Sequence, residues 1–377
     1  MSADQPSSTY DHKSHRLKKF VSALNNHPGR ACWIKFADFS WLTEHPEATM
    51  QIFNLLARVP AIIGLDLDAY TPLLYAGDCD RPRSKIAPNP SNLVCQLPFA
   101  QSLRRLSIND SKILISDIAQ ILTLPSLNYL SISQFNEHLS KKILVNKFRS
   151  PLACTLKELV ILNSSPPTGP LAAYILSRHL GLEKLTWENI TPFQYHQRQI
   201  LPDSISKVLL PLSATLVELR IRSDIWRTYD DRYLGDFSQF RALKILNIND
   251  EVLFSRPIRG TMPRNMDLIL HERLPSSLET LMIVFKLGIK PLIGELVKDE
   301  KDYLWLVSLS NRKIDSLPRL SYVKISQVMA VGRKEFEWVY PPDLALAFHA
   351  SDIKLKITTL HDSNWDQALQ RHGSVDA

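Results

Sequence analysis

Paired carboxylates, histidines beside serines, and lone cysteines are the residues of this chain that could do acid–base or covalent chemistry. Asp66 and Asp68 flank Leu67, so on an extended strand they share a face. Two neighbouring carboxylates do acid–base work only when their surroundings push their pKa values apart. On a short strand with one open face they read as surface residues. Ser177 and His179 stand two residues apart in a helical stretch, which sends them to different faces, and no Gly-x-Ser-x-Gly elbow presents a nucleophile. His12-x-x-His15 has no further ligands nearby, and His271-Glu272 lacks the second histidine of a His-Glu-x-x-His metal site. Neither a Gly-x-Gly-x-x-Gly turn nor a Gly-x-x-x-x-Gly-Lys loop occurs to cradle a nucleotide phosphate. The cysteines at 32, 79, 95 and 154 form no Cys-x-x-Cys pair and read as buried, reduced residues of an intracellular chain. The expectation is therefore a non-enzyme with no cofactor and no bound metal.

Recognition is the chemistry that remains. Arg104, Arg105, Tyr129, Glu158, Lys184, Glu218, Arg220 and Lys244 all stand between regularly spaced leucines. With their neighbours at equivalent positions they give seven basic and four acidic residues. A nucleic-acid groove calls for a one-sign stripe with aromatics for base stacking. The mixture suits a protein partner instead, whose complementary charges set register and on-rate. Trp226, followed by Arg227 and Tyr229 in an insertion after a strand, has the composition of an interface hot spot. The other tryptophans, among them Trp33, Trp187, Trp305 and Trp338, read as core filling. Lys13, Arg16, Lys18 and Lys19 near the start read as solvated charge on a helix.

What positions the recognition residues is a repeated phrase, Leu-x-x-Leu-x-Leu/Ile. It runs from Leu103 to Ile108, Leu127 to Ile132, Leu156 to Ile161 and Leu182 to Trp187. It returns from Leu216 to Ile221, Leu243 to Ile248 and Leu278 to Ile283, with weaker copies at Ile62 to Leu67 and Leu320 to Ile325. The last two apolar residues alternate onto one face of a short strand, and the first anchors the turn before it. One such unit cannot bury its apolar face alone, so neighbours must stack into a solenoid. From 103 onward the repeats start 24, 29, 26, 34, 27, 35 and 42 residues apart, so several units carry insertions.

Between strands the pattern turns helical, as in Ile115, Ile118, Ala119 and Leu122, in 193–209, and in Tyr303, Leu304, Val307 and Leu309. The expected fold is a right-handed α/β horseshoe with strands on its concave face and helices or short turns on its convex face. It spans 13–357 as one body, with an N-terminal cap over 13–60, a loop insertion over 72–98 and a C-terminal cap over 341–357. A strand is expected near Lys35–Phe39, and residues 1–12 and 358–377 are expected to be disordered tails. The net charge of +7 permits acidic partners without demanding them. No apolar stretch is long enough for a membrane span, which points to the cytoplasm or nucleus.

The phrase and the helices between its copies resemble the leucine-rich-repeat superfamily over roughly residues 30–357. Three features narrow the resemblance to fungal leucine-rich-repeat proteins that often carry an F-box. They are the helix Leu17–Leu24 with its His-Pro break before Trp33-Ile34-Lys35-Phe36, the Leu274–Leu281 phrase Leu-Pro-Ser-Ser-Leu-Glu-Thr-Leu, and the closing Phe348–Ile357 segment. The resemblance implies a concave face that binds protein, as a substrate receptor or scaffold, with ubiquitin-ligase subunits among the partners. An enzyme site in the insertions at 72–98 and 286–302 is the alternative; neither supplies a triad or ligand set. Nucleic-acid binding is a weaker one. Two departures stand against the family pattern. The asparagine that usually follows each strand is replaced by Ser111, Phe135, Ser164, Ile190, Asp224, Glu251 and Lys286, so the turns need another way to satisfy their backbone groups. The F-box itself has no counterpart before the first helix.

Overall fold

The computed structural model describes residues 8–39, 52–68, 94–109, 118, 120–133, 155–162, 181–189, 202–223, 235–254, 267–285, 303–329 and 341–361. They fall into two compact units, Met1–Ser165 and Pro166–Ala377, where the sequence suggests one body over 13–357. Each unit is a mixed α/β stack in which every strand lies parallel to the next strand in sequence, a solenoid-like arrangement. The first holds β1 (Phe36–Phe39), β2 (Gly64–Asp68), β3 (Arg105–Asn109), β4 (Tyr129–Ser133) and β5 (Glu158–Leu162). The second holds β6 (Lys184–Asn189), β7 (Glu218–Ser223), β8 (Ile245–Asn249), β9 (Thr280–Phe285), β10 (Tyr322–Met329) and β11 (Lys354–His361).

All nine copies of the phrase coincide with a strand, and each strand begins two residues after the first apolar residue of its copy. That common phase fixes the register. Leu65, Leu106, Leu130 and Leu159 form one continuous row in the first unit, and Leu185, Leu219, Leu246, Leu281 and Val323 form one in the second. Every member is at most 1% exposed. Fully burying such a side chain is worth about 1.5–3 kcal/mol, so these rows hold the stacks together.

Backbone groups at the turn into each strand are satisfied by a carbonyl of the preceding repeat, whereas the positions after the strands where the asparagine is missing lie, Glu251 apart, outside the described residues. The N–H groups of Arg104 and Arg105 both donate to the carbonyl of Ile63, those of Asn128 and Tyr129 to Arg104, and those of Lys157 and Glu158 to Asn128. The second unit repeats this from Glu183 to Val217 to Lys244 to Glu279, at 2.7–3.2 Å. Hydroxyls just before the first leucine add a second tie between repeats. Ser126 Oγ donates to the Gln101 carbonyl at 2.7 Å, and Ser277 Oγ to that of Leu243 at 2.8 Å.

Several boundaries differ from the sequence reading. A helix begins at Ser8, inside the stretch read as a disordered tail. Residues 94–96 are helical and Val94 is fully buried, so the insertion read as 72–98 ends before Val94. Strand β11 runs to His361, past the expected end at 357, because all eight of its residues pair with β10. In the helix Leu304–Asn311 the buried side is Trp305, Leu306 and Leu309, while Leu304 is 41% exposed. Trp305 packs edge-on against Phe254 at 4.9 Å between centroids. No helix of the described residues is long and apolar enough to cross a membrane.

Candidate functional site

Strand alternation sends the residues between the leucines to the face opposite the buried rows, and the common phase lines them up. In the first unit one such row reads Phe36, Gly64, Arg105, Tyr129 and Glu158. Its members lean on one another. The Arg105 guanidinium lies over the Tyr129 ring, 4.0 Å from its centroid, a cation–π contact. Phe36 lies across the backbone at Gly64, where a Cβ would fall 2.5 Å from its Cδ1. Glycine is the residue that permits this approach. The next row outward is polar, with Asp38, Asp66, Ser107 and Ser131.

The same face of the second unit is held by ion pairs. Glu218 accepts from Arg220 Nε at 3.0 Å on its own strand and lies 3.7 Å from Lys184 Nζ on β6. Lys244 Nζ meets Glu279 Oε1 at 3.0 Å, one repeat apart in the turn residues. The cations are about half exposed, so each pair is worth only about 0.2–1 kcal/mol; their main effect is to fix side-chain positions. Toward β10 and β11 the pairing stops. Lys324 and Lys356 face each other in register, with Tyr322 and Lys354 beside them.

Eight of the nine residues singled out from sequence are placed. Arg104, Arg105, Lys184 and Lys244 are exposed, while Tyr129, Glu158, Glu218 and Arg220 are half-buried. Arg105 and Tyr129 are brought into contact, as are Lys184, Glu218 and Arg220. Arg104 and Lys244 stand in the turn position whose carbonyl is shared by the next repeat. Trp226 lies outside the described residues, as do Ser177, His179, Trp338, Cys79, Cys154 and most of both insertions.

Three sequence readings need correction. Trp33, read as core, is 73% exposed at the end of the 3-10 helix Pro28–Trp33, and Phe36 is 66% exposed. That short turn buries Ala31 rather than the indole. Cys32, read as buried, is exposed and its thiol donates to the Gly29 carbonyl at 2.9 Å. Burial does raise the pKa of the Cys95 thiol, which keeps it protonated. Asn247, one of the neighbours at equivalent positions between the leucines, is only 2% exposed and its Oδ1 has no hydrogen-bond partner among the described residues. It stands in register between Arg220 and Met282, and β8 is closed off on both faces from Leu246 onward.

Sequence reasoning also missed the lysine end. Lys324 stands 30 residues before Lys354 and 32 before Lys356. Only the β10–β11 register gathers them. Among the described residues no group of three His, Cys, Asp or Glu is arranged to hold a metal ion. Comparison with protein-family models and with curated proteins finds no match.

Proposed function

We propose that this chain is a non-enzymatic recognition protein of the leucine-rich-repeat type, a right-handed horseshoe that binds a protein on its concave sheet face. The observation that carries the reading is that the face is pre-ordered. Arg105 is held on Tyr129, and Lys184 and Arg220 are held by Glu218, before any partner arrives. Binding through side chains already fixed loses little ordering entropy, which otherwise costs about 0.5–1.5 kcal/mol for each mobile one. The carboxylates interspersed with cations favour a protein over a nucleic-acid backbone. In this reading the helices and short turns form the convex side, and the chain works in the cytoplasm or nucleus. It acts as a substrate receptor or scaffold akin to the F-box proteins of ubiquitin ligases.

The test is a pull-down of the tagged chain from its own cells beside an Arg105→Glu/Lys184→Glu double variant. A partner recovered by the wild type and lost from the folded variant is the expected result. Cullin and Skp-type subunits among the recovered proteins would attach the chain to a ligase. Recovery of the same proteins by both forms would remove the face from the binding reaction and sink the reading.

A further inference from the structure

The face of β10 and β11 carries positive charge with no ion-pair partner among the described residues. Lys324 on β10 and Lys356 on β11 are direct cross-strand neighbours, and Lys354 stands two residues before Lys356 on the same face. Like charges placed opposite one another on a sheet are destabilising. Elsewhere on this unit's face Lys184 and Arg220 pair with Glu218 and Lys244 with Glu279, while Arg222 stands in register with Glu188. The residues of β9 facing Lys324 and Tyr322 are Met282 and Thr280, which bring no carboxylate. Asp352 precedes Lys354 in a turn at φ 51°, and no ion pair joins the two. Among the described residues, carboxylates pair with Lys184, Arg220 and Lys244, and no ion pair joins Lys324, Lys354 or Lys356.

We propose that this end of the face docks an acidic, extended segment of a partner protein, rich in Asp or Glu. The inference rests on the protein-binding reading above and names the chemistry of the partner. Lys354 and Lys356 are two residues apart, the spacing at which an extended peptide repeats its side chains on one face. A Glu-x-Glu segment laid along β11 sets one carboxylate at each lysine, with Lys324 reaching the second from the neighbouring strand. Tyr322, half-buried beside Lys354, offers ring area and a hydroxyl to the same segment. The platform has a definite limit. In the next row Ser326 and Thr358 bond to each other at 3.0 Å, and Ser326 is 4% exposed, so the open part ends after Lys324 and Lys356. Three cations and one aromatic, with Glu218 and Glu279 further along the same face, make a poor track for a nucleic-acid backbone.

The experiment is a fluorescence-anisotropy titration of the full chain with a labelled peptide of alternating Glu and Ser. The matching Gln and Ser peptide and an oligothymidylate serve as competitors. Binding of the Glu peptide is expected, with most of it lost when salt shrinks the Debye length from about 10 Å toward 3 Å. Lys324→Glu/Lys356→Glu should weaken it at least about tenfold, since facing like charges are repelled. Lys19→Glu, on the helix Ser8–Asn26, should leave it unchanged. If the double reversal melts early, Lys354→Gln/Lys356→Gln provides the same comparison, with a several-fold loss expected. No binding, equal binding of the Gln peptide, tighter binding of the oligonucleotide, or indifference to both lysine variants each overturns the inference. The pull-down reports separately, because its Arg105 and Lys184 reversals are on β3 and β6 rather than on β10 or β11.

Discussion

The two units carry the same buried rows and opposite ways of fixing what lies above them. In the first, neighbouring strands are tied by contact of flat groups, Phe36 on Gly64 and Arg105 on Tyr129. In the second they are tied by ion pairs around Glu218 and between Lys244 and Glu279. The lesson is that the repeat determines only half of each strand. Positions in the buried rows admit leucine, isoleucine or valine and little else. Positions on the open face are free, so the two units diverge there.

The largest effect should come from the half they share. Leu159→Asp in the first unit and Leu246→Asp in the second each place a carboxylate where the native side chain is at most 1% exposed. Each should cost several kcal/mol unless the acid protonates. Thermal melting that stays cooperative at the wild-type temperature in either variant would contradict the shared-core description.

A smaller effect should separate the units. Glu218→Gln leaves Lys184 and Arg220 without their common carboxylate and should lower stability by about 1 kcal/mol or less, because both cations are about half exposed. Raising the salt concentration should erase most of that loss, as screening weakens the native pairs too. A salt-independent loss in denaturant titrations would mean the carboxylate acts through packing.

The smallest effect belongs to the first unit's face. Arg105→Glu and Gly64→Ala should each change the melting free energy by no more than about 0.5 kcal/mol, since exposed groups can shift aside. Gly64→Ala should nevertheless displace the Phe36 ring, which proton NMR of its ring resonances can follow. An unmoved ring would break the contrast between stacked and ion-paired faces.

Much of this was legible in the chain because the signals are local and repeated. The strand phase could be read from nine copies of one phrase, and β1 from Lys35–Phe39. Alternation alone placed Arg105, Tyr129, Glu158, Lys184 and Glu218 on the open face. What failed were statements about coverage. Asn247 occupies an alternation position that belongs to that face, yet it is buried because β8 is enclosed on both sides. Trp33 is apolar enough for any core, but a 3-10 turn of six residues leaves its indole outside.

The sequence by itself determined the parallel repeat, its register and the identity of the side chains on either face, because periodicity of two is written into each short strand. Tertiary structure alone decided which of those side chains meet. Lys184 and Glu218 are 34 residues apart in the chain, and Lys324 and Lys356 are 32. The insertions between repeats set those separations, so no local window contains both members of a pair. Only stacking brings one strand's charge beside the next.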